Sequence, residues 1–199
     1  GMVADVGGTT TDVGMLQGGF PREANNVIKI GGVRTLFRMP DLISIGLGGG
    51  SLVDLDAGTI GPESVGYRLP ERARVFGGPD LTASDLAVAA GLLSLGDARA
   101  VADLSQGDVA RFMGLASTMA AGAVDRMKTE ASGVSVLAVG GGAFLIPDDL
   151  PGASEVIRVE NGDVANAVGA AIAQVSGECD QVFTGLARDE LLQEARQIA

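Results

Sequence analysis

Asp5-Val6-Gly7-Gly8-Thr9-Thr10-Thr11-Asp12 is the stretch that decides the fold of this chain. Apolar Met2-Val3-Ala4 leads into it and Val13-Gly14-Met15-Leu16 leads out, with apolar residues alternating about a short polar turn. That alternation predicts two strands joined as a hairpin. The P-loop pattern G-x-x-x-x-G-K-[ST] and the dinucleotide-binding fingerprint both open a helix, and neither fits. Glycine at 7 and 8 lets the backbone turn tightly and brings N–H groups close to an anion. The hydroxyls of Thr9, Thr10 and Thr11 add donors, and the carboxylates of Asp5 and Asp12 can hold water or Mg²⁺. The stretch reads as a phosphate-and-metal cradle; the plainer alternative is a glycine-rich hairpin with no ligand.

Composition narrows the chemistry. The chain has no histidine, so Cys179 lacks an imidazole partner and reads as a structural thiol. One cysteine forms no internal disulfide, which points to a reducing, cytoplasmic compartment. A formal charge of −11 without any Lys/Arg cluster excludes a nucleic-acid footprint, although backbone amides and Mg²⁺ act on a phosphate at close range regardless of it. No apolar run approaches the ~20 residues of a bilayer span and no leader pattern is present, so a soluble chain without a membrane partner is expected. A hydrophobic share of 46% over 199 residues is ample for a packed core, and one domain over 1–199 is expected.

Residues 1–35 read as a β meander, with Val27, Ile28 and Ile30 before a Gly31-Gly32 break. Asp41-Leu42-Ile43-Ser44-Ile45 is a short apolar run, Leu52 to Ile60 a strand pair about Asp56-Ala57-Gly58, and Gly61 to Pro79 a loop. Thr82 caps a helix expected to run to Gly96, and Asp108 to Glu130 is a long helix striped by Val109, Phe112, Met113, Ala116, Met119, Ala120, Ala123 and Met127. Val134 to Val139 is a continuous apolar strand of the kind buried on both faces. Val156 to Val159 is a strand, Val164 to Val175 a helix with close-packing Gly169, and Asp189 to Ile198 a terminal helix. This order predicts an α/β fold with a mixed β-sheet, an N-terminal β meander and flanking helices.

Two further glycine clusters bear on function. Gly140-Gly141-Gly142 follows the buried strand, where open α/β sheets place ligands, and would let a nucleotide lie against bare backbone; a tight packing turn is the alternative. Gly48-Gly49-Gly50-Ser51 is open between a structural bend and an approach to substrate or phosphates.

Together with Ile45-Gly46-Leu47-Gly48-Gly49-Gly50-Ser51, Gly61-Pro62-Glu63-Ser64-Val65-Gly66, Leu81-Thr82-Ala83-Ser84-Asp85 and Asn166-Ala167-Val168-Gly169-Ala170-Ala171, the opening turn resembles the hydantoinase A/5-oxoprolinase family. Order and approximate spacing match over nearly the whole chain. The resemblance implies one lobe of an actin-like ATPase (ribonuclease H-like) fold. It implies ATP and Mg²⁺ as cofactors, with Asp5 and Asp12 as catalytic and metal-shell residues. Phosphate contacts would fall on Gly7, Gly8, Thr9, Thr10 and Thr11, and adenosine contacts on Gly140, Gly141 and Gly142. The implied activity is ATP-dependent hydrolysis of a cyclic amide, whose oxygen is phosphorylated before water opens the ring. Related ATP-dependent ketone carboxylases, or a non-catalytic nucleotide-binding module, are the alternatives; the paired aspartates favour an active enzyme.

The sequence departs from that family after Gly66, where Tyr67-Arg68-Leu69-Pro70-Glu71-Arg72 is shorter than usual and lacks a cysteine. Only one D-x-G-G-T turn is present, whereas the superfamily clasps ATP between two lobes. The expected partners are therefore an N-terminal lobe of the same parent chain, a possible second enzyme subunit and the cyclic-amide substrate. Alone, this chain is expected to turn over little or no substrate.

Overall fold

The computed structural model describes residues 1–24, 29–34, 39–173, 177 and 179–199. They divide into two compact units, Gly1–Ala165 and Asn166–Ala199.

Among the described residues, the first unit holds ten strands. In chain order they are β1 (Met2–Val6), β2 (Thr11–Gln17), β3 (Phe20–Pro21), β4 (Lys29–Ile30), β5 (Val33–Arg34), β6 (Leu42–Ile45), β7 (Ser51–Asp54), β8 (Thr59–Ser64), β9 (Val134–Val139) and β10 (Ala153–Arg158). The main sheet runs β10-β9-β1-β2-β3, with β6 also pairing β2. β1 lies antiparallel to β2 and parallel to β9, and β9 lies parallel to β10, so the sheet is mixed as expected. The hairpin places Val6 opposite Thr11 and Asp5 opposite Asp12. Of the strand expected over 26–34, residues 26–28 lie outside the described residues, while β4 and β5 form a small hairpin across Gly31-Gly32.

Period-2 alternation sends Met2, Ala4 and Val6 of β1 into one core with Val13, Val136 and Ala138, and leaves Val3 and Asp5 half-buried on the opposite face. β9 is less enclosed than its apolar run suggests, because Ser135 and Leu137 stay half-buried. Helix α3 (Gln106–Met127) covers the core face with Val109, Phe112, Ala116, Ala120, Ala123 and Met127. Its alanines permit close approach, and Met113 and Met119 pack at the margin. Ser105 caps it, accepting the Asp108 N–H at 3.0 Å.

Between β8 and α3 the chain is more helical than the expected loop. β8 continues through Pro62 to Ser64, short helical turns span Gly66–Arg68 and Arg74–Phe76, and α1 (Leu69–Arg72) lies between them. α2 (Ala83–Ala89) starts at Thr82 with a full capping box. It stops at Gly91, not Gly96, because Gly91 takes the left-handed conformation (φ 73°) and its N–H returns to Val88 O at 3.0 Å. Asp85 is fully buried, yet its carboxylate accepts from Val75 N (2.8 Å), Thr82 N (2.8 Å) and Thr82 Oγ1 (2.7 Å). Those bonds tie the 75–82 segment to the start of α2.

The second unit carries α4 (Ala165–Ile172), nearly all of which it contains, and α5 (Arg188–Ile198). Of the helix expected to Val175, residues 174 and 175 lie outside the described residues. Gly169 does not pack closely: a Cβ there would meet nothing within 4 Å. Among the described residues, no helix is long and apolar enough to cross a membrane.

Candidate phosphate-binding site

Parallel pairing of β1 and β9 brings Gly7-Gly8-Thr9-Thr10 and Gly140-Gly141-Gly142 together at the carboxyl ends of these two interior strands. The Gly142 N–H donates to Val6 O at 2.8 Å. Gly140 has φ 88°, and a Cβ there would stand 2.3 Å from Val6 O and 2.6 Å from Asp5 Oδ1; at Gly142 it would stand 2.7 Å from Gly7 O. These two glycines are needed for close packing against the end of β1, and Asp5 reaches that junction. Gly141 is exposed with nothing near its missing Cβ, so of the three it is the one open to a ligand.

The third cluster backs the turn. The N–H groups of Gly49 and Gly50 donate to Gly7 O (3.0 Å) and Gly8 O (2.6 Å). The Gly49 carbonyl is in turn held by Ser84 N (2.9 Å) and Ser84 Oγ (2.8 Å), and Leu47 O accepts from Thr11 Oγ1 at 2.6 Å. A Cβ on Gly48 would stand 2.6 Å from both Gly8 C and Thr9 N, so only glycine admits this contact. The open choice at Gly48-Gly49-Gly50 thus falls on the structural side. The signal was an unbroken glycine run after an apolar strand, but its partner was a turn some forty residues earlier.

Thr11, expected at the phosphates, is fully buried and spends its hydroxyl on Leu47 O, so its side chain holds the backing loop and does not face the mouth. The turn's tip is different. Gly7 N donates to Thr10 O at 2.9 Å, while the N–H groups of Gly8, Thr9 and Thr10 have no hydrogen-bond partner among the described residues. In a trans peptide, N–H points opposite to C=O. Holding the Gly7 and Gly8 carbonyls against Gly49 and Gly50 therefore turns the Gly8 and Thr9 N–H groups away from the protein. Consecutive outward amides form a concavity for an anion.

Asp5 and Asp12 face one another across the hairpin on the face away from the core, and Ser44 Oγ donates to Asp12 Oδ1. Among the described residues, no group of three or more His, Cys, Asp or Glu is placed to hold a metal ion. Two carboxylates suit Mg²⁺ that arrives with phosphate and keeps several waters, the usual mode for that ion. A cavity of about 660 Å³ beside β7 and β8 contains none of the turn's residues; Asp54, Asp56, Glu63 and Asp80 line it and disfavour a polyphosphate.

The fold is that of one actin-like lobe, a mixed sheet with flanking helices, and the glycine-threonine turn lies between its neighbouring strands β1 and β2. Residues 1–98, just under half of the chain, match the hydantoinase/oxoprolinase family model. No curated protein matches the sequence. Among solved structures, a nucleotide-free acetone carboxylase from a study of ATP-dependent acetone carboxylation shares the fold at TM-score 0.63 and 22% identity, covering 86% of this chain and 29% of the other. An ATP-dependent caprolactamase from Pseudomonas jessenii shares it at TM-score 0.64 and 19% identity, covering 99% and 34%. This chain spans about a third of the length of those proteins.

Proposed function

We propose that this chain is the phosphate-binding lobe of an ATP-dependent enzyme that activates a ring amide for hydrolysis, working with further parts of a longer parent chain in the cytoplasm. The observation that carries the reading is the run of three amides, Gly8 to Thr10, without hydrogen-bond partners among the described residues, beside the opposed pair Asp5 and Asp12.

In this reading the Gly8, Thr9 and Thr10 N–H groups hold phosphate oxygens, with the Thr9 and Thr10 hydroxyls beside them. Asp5 and Asp12 hold the water shell of Mg²⁺, and Gly141 offers bare backbone to the nucleoside. ATP supplies the phosphoryl group that makes an amide oxygen a leaving group, and Mg²⁺ offsets charge on the phosphate oxygens. The protein's part is positioning by fixed dipoles. The match of residues 1–98 to the hydantoinase/oxoprolinase family model and the caprolactamase likeness favour a cyclic amide. The acetone carboxylase likeness supports a second reading, in which a ketone is activated.

Titration of the chain with ADP, followed by amide NMR, tests the nucleotide site. Saturable shifts at Gly8, Thr9, Thr10 and Gly141 that need Mg²⁺ are expected, and Asp5→Asn or Asp12→Asn should cut the Mg²⁺-dependent gain in affinity about tenfold. No shift at those amides at millimolar Mg·ADP would refute the site. ATP hydrolysis by the full parent protein with 5-oxoproline, hydantoins or ketones then decides the substrate class; stimulation by none of them would sink the enzyme assignment.

A further inference from the structure

The Gly8 carbonyl accepts two hydrogen bonds, one from Gly50 N at 2.6 Å and one from Ser64 Oγ at 3.1 Å. Ser64 is the last residue of β8, and its Oγ also accepts the Gly66 N–H at 3.0 Å. The same oxygen would lie 2.9 Å from a Cβ on Gly50, so it is wedged between the backing loop and the turn. Beyond it, a Cβ on Gly66 would stand 3.8 Å from Thr9 Oγ1, and Tyr67 is 93% exposed. One hydroxyl therefore joins three segments: the phosphate turn, the glycine-rich loop and the start of the 66–68 helical turn.

We propose that Ser64 is a positioning residue for the phosphate site, aiming the Thr9 N–H by fixing the peptide plane between Gly8 and Thr9. This rests on the reading of the turn as a phosphate cradle. Because that peptide is planar and trans, the direction of Gly8 C=O sets the direction of Thr9 N–H. Gly50 N restrains the carbonyl from one side only. Ser64 supplies the second restraint, so the plane no longer rocks about a single bond. A pre-aimed donor loses less freedom when an anion arrives, and that gain appears as affinity for phosphate. Ser64 itself does not touch the ligand. Its bond to Gly66 N also ties the plane to the 66–68 turn, so displacement of that turn is transmitted to the Thr9 amide.

The test uses amide NMR on the 199-residue chain with Mg·ADP as the probe. In the unliganded protein the Gly50 amide should exchange slowly with solvent and the Gly8 and Thr9 amides fast; equal rates at Gly50 and Thr9 would overturn the proposal without any variant. Ser64→Ala should shift the Thr9 amide resonance and weaken Mg·ADP binding about three- to tenfold, the worth of one ordinary hydrogen bond. Ser64→Thr, which keeps the hydroxyl and suits a strand end, should restore both. Ser105→Ala removes a cap on α3 far along the chain and should leave both unchanged. An unmoved Thr9 resonance in folded Ser64→Ala, failure of Ser64→Thr to restore it, or an equal effect of Ser105→Ala overturns the inference. If the wild type shows no response to Mg·ADP, the phosphate reading falls, while the Thr9 resonance still reports whether Ser64 sets the peptide plane.

Discussion

Replacing Gly48 with alanine should damage the protein more than replacing either glycine of the turn it supports. The missing Cβ at 48 would lie 2.6 Å from Gly8 C and from Thr9 N and 2.7 Å from Gly7 O, all backbone atoms that no rotamer change can move aside. Two loops must separate by several tenths of an ångström, stretching the bonds from Gly49 N and Gly50 N to Gly7 O and Gly8 O. Overpacking of this kind costs about 1–3 kcal/mol. For a chain of this size each kcal/mol lowers Tm by about 2–4 °C, so Gly48→Ala should melt roughly 2–12 °C lower. Gly8→Ala is the comparison, because its Cβ meets nothing within 4 Å and its φ is not positive. It should hold the wild-type Tm or gain slightly through a stiffer unfolded chain. Thermal melts by circular dichroism at neutral pH read both. If Gly48→Ala melts with the wild type, or Gly8→Ala is the more damaging, the backing role of the 48–50 loop is wrong.

Three other substitutions probe the supports of the site. Thr11→Val keeps the shape but leaves buried Leu47 O without its donor, so stability should fall by about 1–3 kcal/mol in denaturant titration. Asp85→Ala strips the acceptor from Val75 N and Thr82 N, and at about 1–3 kcal/mol per orphaned group the loss should reach roughly 2–6 kcal/mol in the same assay. Asp80 is held below the usual carboxylate range by its hydrogen bond from the Arg72 guanidinium, a contact of 2.6 Å. Its folded pKa being the lower one, its contribution is complete above the unfolded pKa of about 3.9 and is lost as pH falls through the folded value. Asp80→Asn should therefore narrow the fall in Tm on acidification below about pH 5, and an unchanged acid limb would count against the pair.

The sequence was most legible where local pattern and tertiary role coincide. The alternation around Asp5–Asp12 set the hairpin and its register, the stripe from Val109 to Met127 set the face of α3, and Thr82 with Asp85 marked the start of α2. Less legible were features whose cause lies far away in the chain. Gly48, Gly140 and Gly142 are glycine because other backbone segments approach them, and nothing near them in sequence names those segments. Thr11 looks identical to Thr9 and Thr10 in sequence, yet the β pleat turns it inward where its neighbours remain accessible. Ser64 and Ser84 lie in stretches that carry the family resemblance, but nothing there assigned either a role, because a serine at a strand end or in a first helical turn is commonplace and their value comes from the carbonyls they reach.

That division of labour among glycines bears on how a chain of charge −11 could attract a polyphosphate at all. Residues 1–17, 42–66 and 134–146, which build the turn, its backing loop and the adjoining strand end, contain no lysine or arginine. The Arg158 guanidinium donates to the carbonyls of Ala143 and Ile146 beside the strand end, but the turn itself has only fixed dipoles and a metal ion to offer, and dipoles work only if they are already aimed. An amide free to rotate would be turned toward water or toward a neighbouring carbonyl in the unliganded state, and the ligand would have to reverse it. Here Gly49, Gly50, Ser64 and Ser84 form a chain of hydrogen bonds that fixes the carbonyl side of the turn, and the amide side follows from peptide planarity. Because residues 1–17 carry no lysine or arginine, a phosphate bound at the turn would leave charge for Mg²⁺ to offset, and under the proposed reading Asp5 and Asp12 would serve better as holders of a hydrated ion than as direct neighbours of an anion they would repel.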